Sequence, residues 1–299
     1  MKIVVTGSLG HISKPLVKEL LQKGHKVTVI SSDPKKQILI EDMGAKAAIG
    51  SVENEKFLSQ AFTGADAVYT MVPPVSYLLP ELDPIKHFSR IAQNYSAAIR
   101  DAGIARVVNL SSWGAHRDNG TGGIVGTYYL EQIMNELPAE VSITHIRPTS
   151  FYYNLLGLIP AIKYTGRIAA NYGGEDRTVL VAPEDIAAAV AIELEKTAGR
   201  DIRYVASDEM TCNEVAHVLG QAIGKPDLRW ELISDEEALE NLKKAGLPAG
   251  SAALLVELQA GHHKGLIAED YDRHKPMFGK VKLKDFAKDF ALAFQKQVS

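Results

Sequence analysis

The sequence predicts an α/β fold, a doubly wound parallel sheet followed by a smaller, mainly helical C-terminal lobe. Two observations predict it. In the first half, short continuous apolar runs alternate with amphipathic helical stretches, the pattern of a parallel sheet covered on both faces. After about Ser150 that pattern gives way to irregular aromatic sequence, and from about Trp230 to mainly helical sequence. The chain's 299 residues suffice for one large domain or two closely packed ones. The expected division is 1–150 for the sheet domain, with a returning strand and helix near 178–196, and 151–299 for a lobe that closes a cleft.

Each element follows in order. Residues 2–6 form a β-rich apolar run. Ile12, Leu16, Val17, Leu20 and Leu21 then recur at helical spacing, and Gly24 is a natural stop. Further strands are expected at 26–31, 45–50, 66–72 (cut by Pro73 and Pro74), 106–112 and 142–148, with helices at 56–62, 84–102 and 124–137 between them. Right-handed crossovers wind such units into one sheet. Beyond Ser150, "TVLVAPEDIAAAVAIELEK" reads as a strand and then a helix. Pro183, Glu184 and Asp185 suit the first turn of that helix. Residues 203–207 read as a short strand, and Thr211 to Glu214 as a capping box opening a helix through Leu219.

Composition removes several classes of function. The net charge is −3 and no Lys/Arg cluster is present, which argues against a nucleic acid or an anionic membrane as partner. Cys212 is the only cysteine, so no internal disulfide and no zinc site needing two or more cysteines can form. The apolar start, 3–5, is too short for a signal peptide, and the greasiest later stretch, 155–162, contains Gly157 and Pro160. The expected location is cytoplasmic and the expected partner a small-molecule substrate, with a homodimer through a helical flank of the sheet.

The motif with the clearest chemistry is Gly7-Ser8-Leu9-Gly10-His11-Ile12-Ser13, at the first strand-to-helix junction. Gly7 permits the tight turn, and Gly10 lets a pyrophosphate approach the backbone at the helix start. Ser13 stands at the third glycine position, which mainly sets helix–strand packing, and a small residue is tolerable there. The preference between NAD and NADP is read about 20 residues on, at the end of the second strand. No acid stands at Ser31 or Ser32, and Asp33 before Pro34 reads as a helix cap. Two hydroxyls with Lys35 and Lys36 can receive a 2′-phosphate, which favours NADP over NAD, although no arginine is there to grip it.

These residues resemble the NmrA-like, atypical branch of the short-chain dehydrogenase/reductase superfamily. The resemblance spans nearly the whole chain and rests on "VVTGSLGHIS", "RVVNLSSWGAH", "HIRPTSFYYN" and "VLVAPEDIAAA". It implies a Rossmann domain that binds NAD(P), with a lobe closing over a substrate cleft. Its members include quinone and isoflavone-type reductases, and proteins that bind the dinucleotide without turnover as redox sensors. Carried over, Gly7, Gly10 and Ser13 match the phosphate loop, with Ser8, Leu9, His11 and Ile12 between them. Ser32 falls where NADP-binding relatives often carry arginine. Val72 and Pro73 fall at the loop over the adenosine side, and Ser111 and Ser112 beside the nicotinamide.

The superfamily's usual chemistry needs a tyrosine and a lysine four residues later, the lysine lowering the phenol's pKa. In "GTYYLEQIMNEL", Gln132 follows Tyr128 by four and Ile133 follows Tyr129 by four. Placing Glu131 in the lysine slot puts Thr127 in the tyrosine slot. No lysine occurs between Lys86 and Lys163, so no shift restores the pair. Sugar epimerisation and alcohol oxidation by that route are therefore disfavoured. Hydride delivery to a quinone or unsaturated carbonyl needs positioning and an apolar cleft more than a strong acid. The candidate catalytic donors are Ser112, Tyr128 and Tyr129. Trp113, Tyr152 and Tyr153 are the candidate substrate-lining residues, and each of these aromatics reads equally well as core packing.

Other motifs have plainer readings. His262 and His263 are adjacent, point in different directions on a helix and lack a third ligand nearby. Cys212 after a cap position favours either a thiolate or simple packing. Arg147 reads as a structural ion pair and Asp185 as a helix-start acid. The favoured function is an NAD(P)H-dependent reductase of a small quinone or unsaturated carbonyl. The alternative is a dinucleotide-binding redox sensor, and a sugar epimerase or dehydratase is more distant.

Overall fold

The computed structural model describes residues 1–197 and 199–296. The elements are β1 (Lys2–Val5), α1 (Ser13–Gln22), β2 (Lys26–Ser31), α2 (Gln37–Asp42), β3 (Lys46–Ile49), α3 (Glu55–Phe62), β4 (Ala67–Thr70), α4 (Pro84–Ala102), β5 (Arg106–Leu110), α5 (Val125–Asn135), β6 (Ser142–Pro148) and β7 (Ser150–Phe151). There follow α6 (Ile159–Thr165), β8 (Ile168–Ala170), β9 (Arg177–Val181), α7 (Pro183–Leu194), β10 (Arg200–Val205), β11 (Asp208–Thr211), α8 (Cys212–Ala222), β12 (Trp230–Leu232), α9 (Asp235–Lys244), α10 (Ala249–His263), α11 (Glu269–Arg273) and α12 (Leu283–Lys296).

Seven parallel strands form the central sheet in the order β10-β6-β5-β4-β1-β2-β3. Apolar residues cover both faces. Leu16, Val17 and Leu20 of α1 and Ile186, Val190 and Leu194 of α7 pack on one face. Leu58 and Phe62 of α3, Ile91, Tyr95 and Ile99 of α4, and Leu130 and Met134 of α5 pack on the other. The strand order reverses between β1 and β4, so the loops leaving these two strands diverge and open a crevice at their carboxyl ends.

Beyond β6 the chain builds a second core from Tyr152, Leu155, Cys212, Val215, Leu219, Trp230 and Phe290. Two small sheets serve it, β11-β9-β7 and β12-β8. The returning strand and helix expected near 178–196 separate. α7 goes back to the central sheet beside α1, whereas β9 joins the small sheet. The seventh central strand is instead β10, which runs 200–205 rather than 203–207. Its first residues, Arg200 and Asp201, are exposed at the sheet edge, and their polarity hid them. Arg106 ties this side together, donating to the Glu193 carbonyl at 2.9 Å, Ser142 Oγ at 2.9 Å and Thr144 Oγ1 at 2.7 Å.

Asp185 does more than start a helix. Its carboxylate accepts from Ser207 Oγ at 2.6 Å, Lys280 N at 2.9 Å and Val281 N at 3.2 Å, clamping the segment that leads into α12. The capping box at Thr211 forms, with Thr211 Oγ1 accepting from Glu214 N and Glu214 accepting from Thr211 N.

Candidate functional site

The phosphate loop takes its shape from β1. Gly7 has φ +86° and Ser8, though not glycine, φ +55°. That left-handed step costs a serine energy. It is held by Ser8 N–H on the Ile30 carbonyl at 3.0 Å and Ser8 Oγ–H on Ser31 Oγ at 2.9 Å. A Cβ on Gly7 would lie 2.6 Å from Ser13 Oγ, and one on Gly10 would lie 3.0 Å from the Gly7 carbonyl. Ser13 earns its place by a bond that glycine lacks, donating its hydroxyl to the Thr6 carbonyl at 2.8 Å. Among the described residues, the N–H groups of His11, Ile12 and Ser13 at the start of α1 have no acceptor.

A cleft of about 430 Å³ opens over this loop. Gly7, Gly10, His11, Ile12, Ser32, Pro73 and Tyr153 are among its walls. Tyr69, wholly buried, also lines it, and its hydroxyl has no partner among the described residues. Unsatisfied N–H groups, a stranded phenol and two glycines pressed against neighbours make a cradle that fits a pyrophosphate and its sugars.

The expected cofactor residues separate into those that face this cleft and those that hold it. Ser31 is buried and spends its hydroxyl on Ser8 and on the Asp33 backbone, so Ser32 is the hydroxyl at the rim. Asp33 caps the turn after β2, accepting from Lys35 N at 3.0 Å, and Lys35 itself is exposed outside the cleft wall. Leu9 packs into the core under α1. Val72 lines a neighbouring apolar chamber instead of the dinucleotide cleft.

That chamber, of about 320 Å³, shares Ile12, Met71, Pro74 and Tyr153 with the cleft. Tyr77, Phe88, Ile124, Thr127 and Phe151 line it further on, with Ser111 and Ser112. A third cavity of about 310 Å³ continues from Ser112, Ile124 and Phe151 into the C-terminal lobe, toward Trp113, Tyr172, Trp230 and His262. Phosphate-loop cleft, apolar chamber and lobe cavity therefore adjoin in that order, each sharing wall residues with the next.

The two serines after β5 have different tasks. Ser111 is buried and donates to Glu131 Oε1 at 2.5 Å. Arg147 grips the same carboxylate with Nε at 2.9 Å and Nη2 at 2.5 Å, and reaches Asp270 at 2.8 Å and Tyr204 Oη at 3.1 Å. Burial alone would lower the Arg147 pKa, but Glu131 and Tyr204 raise it well above its ordinary value. No described group bonds to the Ser112 hydroxyl, which lines both apolar cavities. Thr127, in the tyrosine slot, also lines the chamber but gives its hydroxyl to the Ile124 carbonyl at 2.7 Å.

The aromatic candidates divide in the same way. Tyr128 and Tyr129 are half-buried, stand edge to face at 5.2 Å and line none of these three cavities. Tyr152 is buried with its hydroxyl on Asp208 at 2.6 Å. Tyr153 lines both cleft and chamber and stacks on His11 at 4.5 Å, and burial pushes its phenol up to about 12. Trp113 lines the lobe cavity. Burial pushes the Cys212 thiol up to about 12, with Asp176 and Glu175 adding to it, so the thiolate reading gives way to packing. His263 pairs with Asp176 at 2.8 Å. His262 turns inward and bonds the Arg177 carbonyl at 2.9 Å. His262, Tyr172, Thr178 and Trp230 were not singled out from sequence as cavity residues. They come from separate elements of the lobe and carry no common motif, and the inward-facing half of the His262-His263 pair was the one available signal.

Fold and loop together define a dinucleotide-binding protein of the Rossmann type. Residues 7–154 match the NAD(P)H-binding family profile. The chain is 25% identical to the NAD(P)H azoreductase of Xenophilus azovorans over 98% of its length and 99% of the relative's. Among solved structures, its fold matches an NADPH-dependent quinone oxidoreductase of Escherichia coli complexed with NADPH. The TM-score is 0.81 and the identity 19%, covering 96% of this chain and 99% of that one. It also matches the triphenylmethane reductase of Citrobacter sp. complexed with NADP(H), with a TM-score of 0.78 and 21% identity over 97% and 99% of the two chains. Residues 7–154 thus match an NAD(P)H-binding domain, as the resemblance to the NmrA-like, atypical short-chain dehydrogenase/reductases implies, and the whole chain shares the fold of these two reductases. No helix among the described residues is long and apolar enough to cross a membrane.

Proposed function

We propose that this protein is an NAD(P)H-dependent reductase that delivers hydride to a small quinone or unsaturated carbonyl. The observation that carries the reading is that the phosphate cradle shares walls with an apolar chamber in which Ser112 is an uncommitted hydroxyl. The similarity to an azoreductase and the fold shared with a quinone oxidoreductase support it. NADP is the preferred cofactor, because Ser31 and Ser32 leave the end of β2 without the acid that would accept from a ribose 2′-OH and repel a 2′-phosphate.

His11, Ile12 and Ser13 would hold the pyrophosphate through their free backbone N–H groups at the helix start, Gly7 and Gly10 would let it approach the backbone, Tyr69 would offer its hydroxyl and Ser32 would face the adenosine ribose. The bound dinucleotide supplies a hydride. Ile12, Met71, Pro74 and Tyr153 line both cleft and chamber and would border the dinucleotide on one side and the acceptor on the other. A quinone that gains a hydride becomes a hydroquinone anion. Ser112 Oγ–H donates to the oxygen that takes the negative charge, and water supplies the final proton. Glu131, where a catalytic lysine would stand, is paired with Arg147 and bonded by Ser111, so it neither acidifies a phenol nor moves a proton.

The same reading holds the protein to be cytoplasmic, and a homodimer paired through a helical flank of the sheet. Sedimentation tests the latter. For the function itself, NADPH oxidation is measured across a panel of quinones. Saturable turnover is expected; NADPH binding without turnover on any of them would favour the redox-sensor alternative.

A further inference from the structure

The lobe cavity holds more than the proposed chemistry needs. Hydride transfer is confined to the chamber beside the phosphate cleft, yet a further cavity of about 310 Å³ adjoins it past Ser112 and Phe151. A cavity of about 150 Å³ houses one benzene ring. The walls here are Trp113, Leu155, Leu180, Leu258 and Ile267, which suit a flat apolar group.

Several polar groups on this wall lack described partners, and two of them are fixed by their surroundings. Trp230 is 2% exposed, lines the cavity, and its indole Nε1–H meets no acceptor. A buried donor left this way is costly and calls for an acceptor. His262, on the same wall, must donate from Nε2, because its partner is the Arg177 carbonyl at 2.9 Å. Burial, ahead of every other influence, lowers its pKa, so the ring is neutral and Nδ1 is a bare acceptor with no described partner. Tyr172 sits between the two, with ring centroids 5.0 Å from Trp230 and 4.7 Å from His262.

We infer that the lobe cavity is a subsite for a second aromatic ring of the acceptor, and that this ring carries an oxygen that accepts from Trp230 Nε1–H. The substrate class is thus an extended, two-ring or larger quinone or aryl ketone with an oxygen remote from the reducible carbonyl. Ser112, Ile124 and Phe151, common to both cavities, mark where the rings join. This inference rests on the reductase reading for the chemistry and stands on its own for binding.

The chain's two tryptophans, Trp113 and Trp230, both line this cavity, so intrinsic fluorescence reports its occupancy without turnover. The probes are a benzoquinone, a naphthoquinone, and the same naphthoquinone carrying a methoxy group on its second ring. The methoxy compound is expected to quench at the lowest concentration and to exceed its parent about fivefold in affinity and in kcat/KM. Trp230→Phe should erase that advantage. If Trp230→Phe fails to fold, Leu255→Trp, from a half-buried position of α10 on the same wall, should lower the naphthoquinone-to-benzoquinone ratio of kcat/KM at least tenfold. Turnover with equal preference for all three probes, unchanged in these variants, overturns the subsite while leaving the reductase intact. Quenching in the predicted order with no NADPH oxidation keeps the subsite and overturns the reductase.

Discussion

Glu131 and Arg147 meet in a buried two-pronged ion pair, Nε to Oε1 at 2.9 Å and Nη2 to Oε2 at 2.5 Å, on the helix that carries no tyrosine–lysine pair. Breaking one side of such a pair leaves a buried charge uncompensated. Glu131→Gln is expected to cost about 3 kcal/mol in denaturant unfolding. Replacing both residues by apolar ones of similar volume should cost clearly less, because the one carboxylate that then loses a cation, Asp270, keeps the Tyr204 hydroxyl at 2.6 Å.

The adjacent serines should part company under substitution. Ser111 is committed to Glu131, so Ser111→Ala is expected to lower stability by about 1 kcal/mol. Ser112→Ala should leave stability within about 0.5 kcal/mol. Its effect should fall on kcat with a naphthoquinone, at about tenfold, the order of one lost hydrogen bond in the transition state. Thermal melts and steady-state kinetics on the two variants decide this.

The phosphate loop tolerates no side chain at its first glycine. Gly7→Val would set a β-branched residue at φ +86° with its Cβ against Ser13 Oγ. NADPH affinity, followed by nucleotide fluorescence, should fall by about a hundredfold or more. Ser32→Asp places a carboxylate at the rim. It should shift the NADPH-to-NADH ratio of dissociation constants about tenfold toward NADH.

Stability should fall in mild acid. His145 is buried and His262 half-buried, and loss of water around the rings, their largest influence, holds both imidazoles below the ordinary 6.5. The unfolded chain therefore binds these protons more readily than the folded one. Their contribution is complete above 6.5 and is lost as the pH falls from there toward the folded values. Melting temperature should drop steadily below about pH 6.5, less steeply in His262→Gln.

Local chemistry made much of this legible in the sequence. The loop residues Gly7 to Ser13 are contiguous, and each strand of the central sheet but one is rich in apolar and β-branched residues over its whole length. The exception, β10, sits at an edge where its first residues face solvent; its end lies within the strand expected at 203–207, and its start at Arg200 shows only through its pairing with β6. The charge partner of Glu131 lies 16 residues away on another element, so side-chain spacing within α5 offered no clue to it. The lobe cavity is assembled from β7, β9, β12 and α10, and its polar groups become meaningful only through what they fail to bond. Ser31 and Ser32 look alike as letters; the strand's last pleat buries one and exposes the other.

The central claim is that the cradle and the chamber act together as a reductase. It is tested most directly by anaerobic oxidation of NADPH with a naphthoquinone, using the natural protein and Gly7→Val side by side. The account predicts saturable oxidation, one NADPH per quinone reduced, lost in Gly7→Val. NADPH bound tightly by the natural protein, yet oxidised no faster than in its absence, would contradict it.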